Sequence, residues 1–426
     1  MPNTQKQKKK NNVLKLYLDR HQGFDPGILS PPSPDLSYCI IIPCYNEPNV
    51  INTIQSVFQN NPINKSCEII VVVNSPQQVS EKILQQNALT IRSINKWKEN
   101  NQHEKIKVHT LYYPDLPLKK AGAGLARKIG MDEAIHRFSN YNNPEGIIIN
   151  LDADTICEMN YLSEIDKFYS NNPKADGCNI HFEHNLNKIK DPNLRFAIAQ
   201  YELYLRYYAE SLRTAGYPYF FHTIGSCFSV KAGIYCKVGG MSPKQAGEDF
   251  YFLQKVFQLG HYHELNTTCV YPEARISERV IFGTGAAMGK LSKENKLLLV
   301  YSFQSFLLFK SLFKLCIYFY HKPEQSINEI LLLPEIFVQY LNSFGFQKKL
   351  YEIKENTSNE KQFRKRLYQY FNNFFIIKGL NFLSRNGYYK LSVMDAVKDF
   401  YKYHQMAGTD NLFEMLESFR LIQKQR

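Results

Sequence analysis

The sequence has one tryptophan, no C-x-x-C pair and no uninterrupted apolar run of membrane-spanning length. Its nine cysteines are odd in number and scattered without metal-finger spacing, which excludes a disulfide framework and a zinc finger and points to reduced thiols in a cytoplasmic setting. Basic residues near the N-terminus are followed by no apolar h-region, so no secretory signal is expected. The longest apolar stretch, Leu297 to Tyr320, is interrupted by Gln304, Lys310 and Lys314, where each charge would be costly in lipid. That pattern predicts a buried amphipathic helix rather than a membrane span. No internal repeat of fixed period is present, which excludes a solenoid.

What the sequence does contain is a globular composition, 426 residues with 44% hydrophobic side chains, of which 29 are tyrosine and 29 phenylalanine. That is enough apolar material for two or three domains. The formal charge of +13 suits nucleic acid, an anionic membrane or phosphorylated substrates alike. Its one concentrated run, Lys6-Gln7-Lys8-Lys9-Lys10, reads as a solvated tail, and the other basic residues are dispersed. Without a helix-turn-helix, a zinc motif or an aromatic-basic repeat, no nucleic-acid partner is expected. Peripheral contact with the inner, anionic face of a membrane stays open.

Residues 1–37 are polar and then rich in proline (Pro26, Pro31, Pro32, Pro34), which predicts a basic tail and an extended lead-in rather than a packed unit. From Tyr38 onward, strand-like and helix-like segments alternate. Cys39–Ile42 reads as a buried strand, Pro43–Pro48 as a loop and 49–60 as a helix. Glu68–Val73 is a second strand, ending at Asn74-Ser75-Pro76, and a long helix to about Asn100 leads to a third strand, Ile106–Tyr112. A helix over Gly124–Phe138 then precedes a fourth strand, Ile147–Leu151. The alternation predicts an α/β fold with a mostly parallel sheet flanked by helices, which binds ligands at the carboxyl ends of its strands. Residues 195–290 mix helix and short strands. Residues 291–426 read as helices throughout, with helical spacing in Leu297–Tyr320 and Phe363–Phe382, so the domain is expected to span 38–290 and an all-helical region 291–426.

Asp152-Ala153-Asp154 follows the fourth strand directly, and two carboxylates one residue apart at a strand end can hold a divalent ion against a diphosphate. A chance D-x-D is expected roughly once in a chain of this size, so the weight comes from that placement. A second acidic pair, Glu248-Asp249, follows Gly247 and opens the periodic stretch Phe250, Leu253, Val256, Phe257. It therefore sits at a helix N-terminus, where the helix dipole lowers a carboxylate pKa. The bland reading of this pair is dipole complementation.

Taken in order, the segments resemble a GT-A-type glycosyltransferase of the large family 2 group. Ile41-Ile42-Pro43-Cys44-Tyr45-Asn46-Glu47 resembles that family's opening strand and loop, and Lys119-Lys120-Ala121-Gly122-Ala123-Gly124-Leu125-Ala126-Arg127-Lys128-Ile129-Gly130 its glycine-and-arginine segment. Asp152-Ala153-Asp154 is similar to its metal motif, and Gly239-Gly240 with Gly247-Glu248-Asp249 to its acceptor-side segment. The resemblance covers roughly residues 38–290. It implies a GT-A fold and transfer of a sugar from a nucleotide-diphosphate sugar to a glycan or other hydroxyl acceptor, usually with inversion and a Mg or Mn ion. It implies donor contacts at Pro43, Tyr45, Glu47, Asn74, Gly124, Arg127 and Asp152, metal ligation by Asp154 and Asp152, and Asp249 as general base with Glu248 as the alternate. The second strand departs from the family in ending at Asn74-Ser75 where aspartates are usual, which puts nucleotide choice in doubt.

Two further features carry less weight. His261 and His263 would share one face of a strand and could complete a metal shell, or be ordinary histidines. Arg275 and Arg279 precede Phe282-Gly283-Thr284-Gly285, a basic segment joined to a flexible one that could close over a diphosphate, or be a plain loop. The tyrosine- and arginine-rich stretch Phe196–Tyr208 suits an amphipathic core helix better than an acceptor groove. Gly122-Ala123-Gly124 lacks the third glycine of a dinucleotide fingerprint, since Arg127 stands there, and Cys44-Tyr45-Asn46-Glu47 is not the glycine-rich loop of a pyrophosphorylase. The remaining alternative is a non-catalytic nucleotide- or glycan-binding module on the same fold, against which both acidic pairs argue.

Overall fold

The computed structural model describes residues 13–21, 25–118, 120–243, 247–274 and 297–426. The first elements are α1 (Val13–Arg20), β1 (Leu36–Cys44), α2 (Val50–Phe58), β2 (Ser66–Pro76), α3 (Glu81–Asn100), β3 (Ile106–Leu116), α4 (Ala123–Asn140) and β4 (Ile147–Asn150). The expected alternation is thus present, with each strand longer or shorter by a few residues than its apolar run. The chain continues through β5 (Thr155–Cys157), α5 (Tyr161–Asn171), β6 (Gly177–Phe182), α6 (Pro192–Thr214), β7 (Phe228–Lys231), α7 (Ala232–Lys237), α8 (Glu248–Phe257) and β8 (Tyr262–Pro272).

These strands form one sheet in the order β3-β2-β1-β4-β7-β6-β8-β5. Strands β3, β2, β1 and β4 are mutually parallel, with Ile41 beside both Ile70 and Asn150. Ile40, Ile41, Ile42, Ile69 to Val73 and Ile148 to Ile149 are fully buried, because helices cover both faces and leave no solvent side for polar residues. One of those helices, α4, approaches the sheet closely at Gly130, where a Cβ would collide with Ile41 and contact Val72. Strand β7 joins the parallel half antiparallel to β4, and β6 and β8 continue the sheet parallel to each other. All nine cysteines are buried free thiols.

The lead-in differs from its expected state as an unpacked tail. Helix α1 buries Leu14 and Tyr17, and the Tyr17 hydroxyl donates to Asp132 on α4 at 2.7 Å, an oxygen that also accepts from Tyr235 of α7. Ser33 donates through both its backbone N and its hydroxyl to Glu68 on β2, at 2.8 and 2.9 Å. The same carboxylate pairs with Arg137 of α4, whose guanidinium also reaches the Ser30 and Pro31 carbonyls. Proline-rich sequence packs here because its carbonyls, which no ladder uses, find a buried cation. Burial alone would raise the Glu68 pKa, but His109, Arg137 and Ser33 together hold it well below the usual carboxylate range.

Compactness divides the described residues into two units, one of residues up to 185 with 223–274, the other of residues 186–222 with 297–425. The second unit therefore includes α6, which the sequence reading kept with the sheet. It also holds β9 (Leu299–Val300), α9 (Phe303–Tyr318), α10 (Pro323–Leu331), α11 (Glu335–Asn342), α12 (Phe346–Glu355), α13 (Glu360–Tyr370), α14 (Asn373–Arg385), β10 (Leu391–Ser392), α15 (Val393–His404) and α16 (Leu412–Lys424). Its α6 and α16 are locked by Glu202, whose carboxylate takes Arg206 at 2.8 Å and Arg420 at 2.8 and 2.9 Å away from water.

Helix α9 buries Phe303, Phe306, Phe309, Leu312 and Phe313, as expected of the amphipathic stretch there, and no helix among the described residues is long and apolar enough to cross a membrane. Two details depart from an all-helical reading. Strands β9 and β10 form a short antiparallel pair, and the Phe363–Phe382 periodicity is split into α13 and α14 because the Asn372 side chain caps Phe375 N.

Replacing Glu68 with alanine leaves Arg137 buried without its carboxylate, so Glu68→Ala is expected to cost about 3–5 kcal/mol of stability in denaturant unfolding. A loss below about 1 kcal/mol would show that the lead-in is not anchored through this pair.

Candidate active site

Because β1, β2 and β4 are parallel, Tyr45 to Glu47 after β1, Asn74 to Pro76 at the end of β2 and Leu151 to Asp154 after β4 all lie at one end of these strands. The D-x-D segment is pinned there through its backbone. Thr53 of α2 donates to the Ala153 carbonyl at 2.9 Å, Thr155 N to the Asp152 carbonyl at 3.0 Å, and Glu273 N to the Asp154 carbonyl at 3.0 Å. Ala153 is buried and both flanking aspartates are half-exposed, so the alternation presents two carboxylates from a fixed backbone. Such an all-oxygen pair suits a hard cation such as Mg²⁺ or Mn²⁺.

The sequence places Arg127 twenty-five residues before Asp152; the fold brings it between the two acidic pairs. It sits one turn into α4, where a glycine-rich start lets the helix begin against the sheet end. Its Nη2 lies 2.6 Å from Asp152 Oδ1, and its Nη1 hydrogen-bonds Glu248 Oε1 at the start of α8. The guanidinium is 7% exposed and Glu248 5%, whereas Asp152 is 35% exposed. Burial alone would lower the arginine's pKa, but Asp152, Glu248 and Asp249 outweigh it and hold the charge firmly in place. Gly225, which sequence reasoning did not single out, makes the arrangement possible, since any Cβ there would overlap the guanidinium. A lone glycine in Ile224-Gly225-Ser226 offers no sequence signal for this.

Gly247 caps α8 with φ +69°, so Glu248 and Asp249 occupy its first turn. Asp249 Oδ1 accepts from Phe250 N at 2.7 Å. A helix N-terminus was expected to lower this carboxylate's pKa, and the structure corrects that. Burial pushes Asp249 up to about 6, with the neighbouring Glu248 and Asp152 charges adding to the rise while Arg127 and the Phe250 N–H oppose it. Glu248 differs in kind, being committed to Arg127.

Among the other expected residues, Pro43 and Tyr45 are half-buried at the end of β1. Glu47 is buried, with its carboxylate on Asn49 N and its carbonyl on the Thr90 hydroxyl, which braces the loop. Asn74 is also buried and donates to the Gly122 carbonyl at 3.4 Å, tying β2 to the glycine segment that contains buried Gly124. His261 and His263 are not brought to the aspartates. They stand at the start of β8, with His263 edge-on to Phe168, whereas Asp154 is bonded to Glu273 beyond the far end of that strand. Ten residue steps at about 3.3 Å each separate His263 from Glu273. Burial, then His261, lowers the His263 pKa. Arg275, Arg279 and the segment 282–285 lie outside the described residues. The stretch Phe196–Tyr208 lies within α6, where Ala197, Ile198, Leu203 and Tyr207 are core.

Residues 39–238 match the family model described as glycosyl transferase family 2. No curated protein matches the chain. Similar solved structures include S. aureus TarS 1–349 in complex with UDP-GlcNAc, 14% identical over 91% of this chain and 88% of that one, with a TM-score of 0.42. Another is the mannosyltransferase PcManGT from Pyrobaculum calidifontis in complex with GDP-Man and Mn²⁺, 12% identical over 99% of this chain and 95% of that one, with a TM-score of 0.39.

Carboxyl-selective NMR titration is expected to show Asp249 titrating near pH 6, and higher still in Arg127→Gln, where a stabilising cation is lost. A folded-state pKa above the unfolded value means that stability is lost as pH rises from about 4 through 6. An Asp249 that titrates with the ordinary carboxylates would contradict the burial argument. Gly225→Ala is expected to displace Arg127 and cost about 2–4 kcal/mol of stability, by analogy with other overpacked or broken buried pairs, read by thermal or denaturant unfolding.

Proposed function

Residues 39–238 of this chain belong to glycosyl transferase family 2, and from that premise we propose that Asp249 is the general base for transfer of a sugar from a nucleotide-diphosphate sugar to an acceptor hydroxyl, with inversion at the anomeric carbon. The protein is a glycosyltransferase; the residue roles that follow are our reading. The observation that carries it is the Arg127 bridge, which joins the D-x-D carboxylate Asp152 to Glu248, the residue next to Asp249.

Asp249 suits the base role because its raised pKa leaves it ionised at neutral pH yet basic enough to accept a hydroxyl proton. It would take that proton as the acceptor oxygen attacks the anomeric carbon in line with the departing diphosphate. Glu248 does not compete for it, being spent on Arg127. The ends of β1 and β2, with Pro43, Tyr45 and Asn74, would hold the nucleotide, and Asn74 brings a neutral amide where the family usually has a carboxylate.

Asp154 and Asp152 would hold a divalent cation, Mg or Mn, which when bound neutralises charge on the leaving diphosphate. Arg127 takes only one Asp152 oxygen, so the arginine would orient that carboxylate and the other oxygen would be offered to the ion. Arg275 and Arg279 would add cationic contacts to the diphosphate. A cytoplasmic setting, with the basic run Lys6 to Lys10 touching an anionic leaflet, is part of the same reading, and nine buried free thiols favour a reducing compartment.

Donor hydrolysis with and without Mn²⁺, screened over UDP- and GDP-sugars, is expected to show metal-dependent release that Asp154→Ala abolishes. Lack of release and of metal-dependent nucleotide binding for every donor would point instead to a non-catalytic module. Asp249→Asn is expected to lower transfer by about 10²–10⁴-fold with little change in donor KM. The acid limb of kcat/KM should fall below about pH 6 as Asp249 is protonated. Intact turnover in Asp249→Asn would reject the base assignment.

A further inference from the structure

Strands β6 and β8 pair in regular parallel register from Gly177 and Tyr262 to Ile180 and Leu265, and then the register jumps so that His181 faces Cys269. Asn266, Thr267 and Thr268 are pushed out of the ladder. In unbroken register His181 would face Asn266, so the irregularity exchanges an amide for a thiol. Bulges that re-aim a side chain are commonly found beside functional sites.

This bulge is held on every side. Asn160 donates to the Thr267 carbonyl at 3.0 Å and accepts from the Thr268 hydroxyl at 2.8 Å, and the Thr267 hydroxyl donates to Glu164 at 2.5 Å. Cys269 N donates to Glu158 Oε2 at 3.0 Å, while the other Glu158 oxygen accepts from the Tyr271 hydroxyl at 2.7 Å. The backbone position of Cys269, and with it the region its thiol can reach, is therefore set by the fold.

Three ligand-type groups converge there. His181 Nε2 lies 3.0 Å from Glu183 Oε1, two residues along on the same face, and a ring nitrogen of His181 and a carboxylate oxygen of Glu183 each lie within 4.8 Å of the Cys269 sulfur. His181 and Cys269 are 3% and 2% exposed, and Glu183 is only half-buried, which leaves a way in from solvent. We propose that His181, Glu183 and Cys269 form a second cation site, for Zn²⁺ or a similar borderline-soft ion, built from residues other than the Asp152 and Asp154 pair.

The donor set decides the ion. An imidazole, a thiolate and a carboxylate suit zinc, whereas magnesium and manganese prefer oxygen throughout. With metal–ligand lengths of about 2.0–2.3 Å, a tetrahedral ion separates its N and O ligands by about 3.3 Å and its N and S ligands by about 3.5 Å. The His181–Glu183 pair is already near the first spacing, and a side-chain rotation at Cys269 closes the second. Binding displaces one proton, that of the thiol, while the imidazole moves the hydrogen that meets Glu183 from Nε2 to Nδ1 and so offers its Nε2 lone pair to the ion. Water fills the fourth position. The ion would clamp β6 to β8 just before β8 reaches Glu273 and the Asp154 backbone.

The test uses the 426-residue chain, stripped with EDTA and titrated with Co²⁺, with no donor present, so it does not depend on the glycosyl-transfer reading. We expect one equivalent to give a thiolate-to-cobalt charge-transfer band that persists in Asp154→Ala, disappears in Cys269→Ser and is displaced by Zn²⁺ but not by Mg²⁺. Zn²⁺ should also raise the Tm of the wild type. His181→Gln, which keeps the thiol, should weaken Co²⁺ binding by at least about tenfold and serves as the deciding variant if Cys269→Ser fails to fold. Absence of the band in folded wild type, its survival in Cys269→Ser, or unchanged affinity in His181→Gln would overturn the proposal.

Discussion

The Arg127 guanidinium is the constraint around which the candidate site is arranged. A buried arginine is tolerated only with its charge matched, and here Asp152 and Glu248 supply the match from two segments far apart in the chain. That requirement fixes three things together: the orientation of the first D-x-D carboxylate, the entry angle of α8, and the close approach at Gly225. It also separates two neighbouring acids. Glu248 is hydrogen-bonded to the arginine, and Asp249 is left buried beside it with a raised pKa. Two adjacent carboxylates thus acquire different chemistry from their surroundings alone.

A similar device recurs elsewhere in the molecule with other purposes. Glu68 and Arg137 anchor the lead-in to β2 and α4, and Glu202 with Arg206 and Arg420 locks α6 to α16 in the second unit. Each buries a carboxylate against one or more guanidiniums. Such pairs add little net stability over apolar packing, but breaking one leaves an uncompensated charge, so they specify which segments must meet. The site shares that logic, with the difference that Asp152 remains 35% exposed and can face a ligand.

The N-terminal half of the fold was legible because a doubly covered parallel sheet writes its strands as plain apolar runs. Cys39 to Ile42, Glu68 to Val73 and Ile147 to Leu151 needed no partner to be recognised, and the acidic pair after the last of them fell at the strand end that parallel pairing predicts. The lead-in was misread because its structure depends on Ser33 and the Ser30 and Pro31 carbonyls reaching Glu68 and Arg137, contacts that leave no periodicity. The continuous Phe363–Phe382 spacing concealed a break because apolar residues on both sides keep facing one core while Asn372 caps a new helix.

What the sequence by itself determined is therefore the α/β order, the carboxylates at β4 and at α8, and the family that they and the intervening glycine segment resemble. Those features are local, carried by runs and by spacings within about ten residues. Only the tertiary structure decided that Arg127 joins Asp152 to Glu248, that His261 and His263 stand at the wrong end of β8, and that His181 meets Cys269 across a bulge. Ion pairing, strand direction and register act between segments tens to hundreds of residues apart. A chain specifies them only through the packing of all its elements at once.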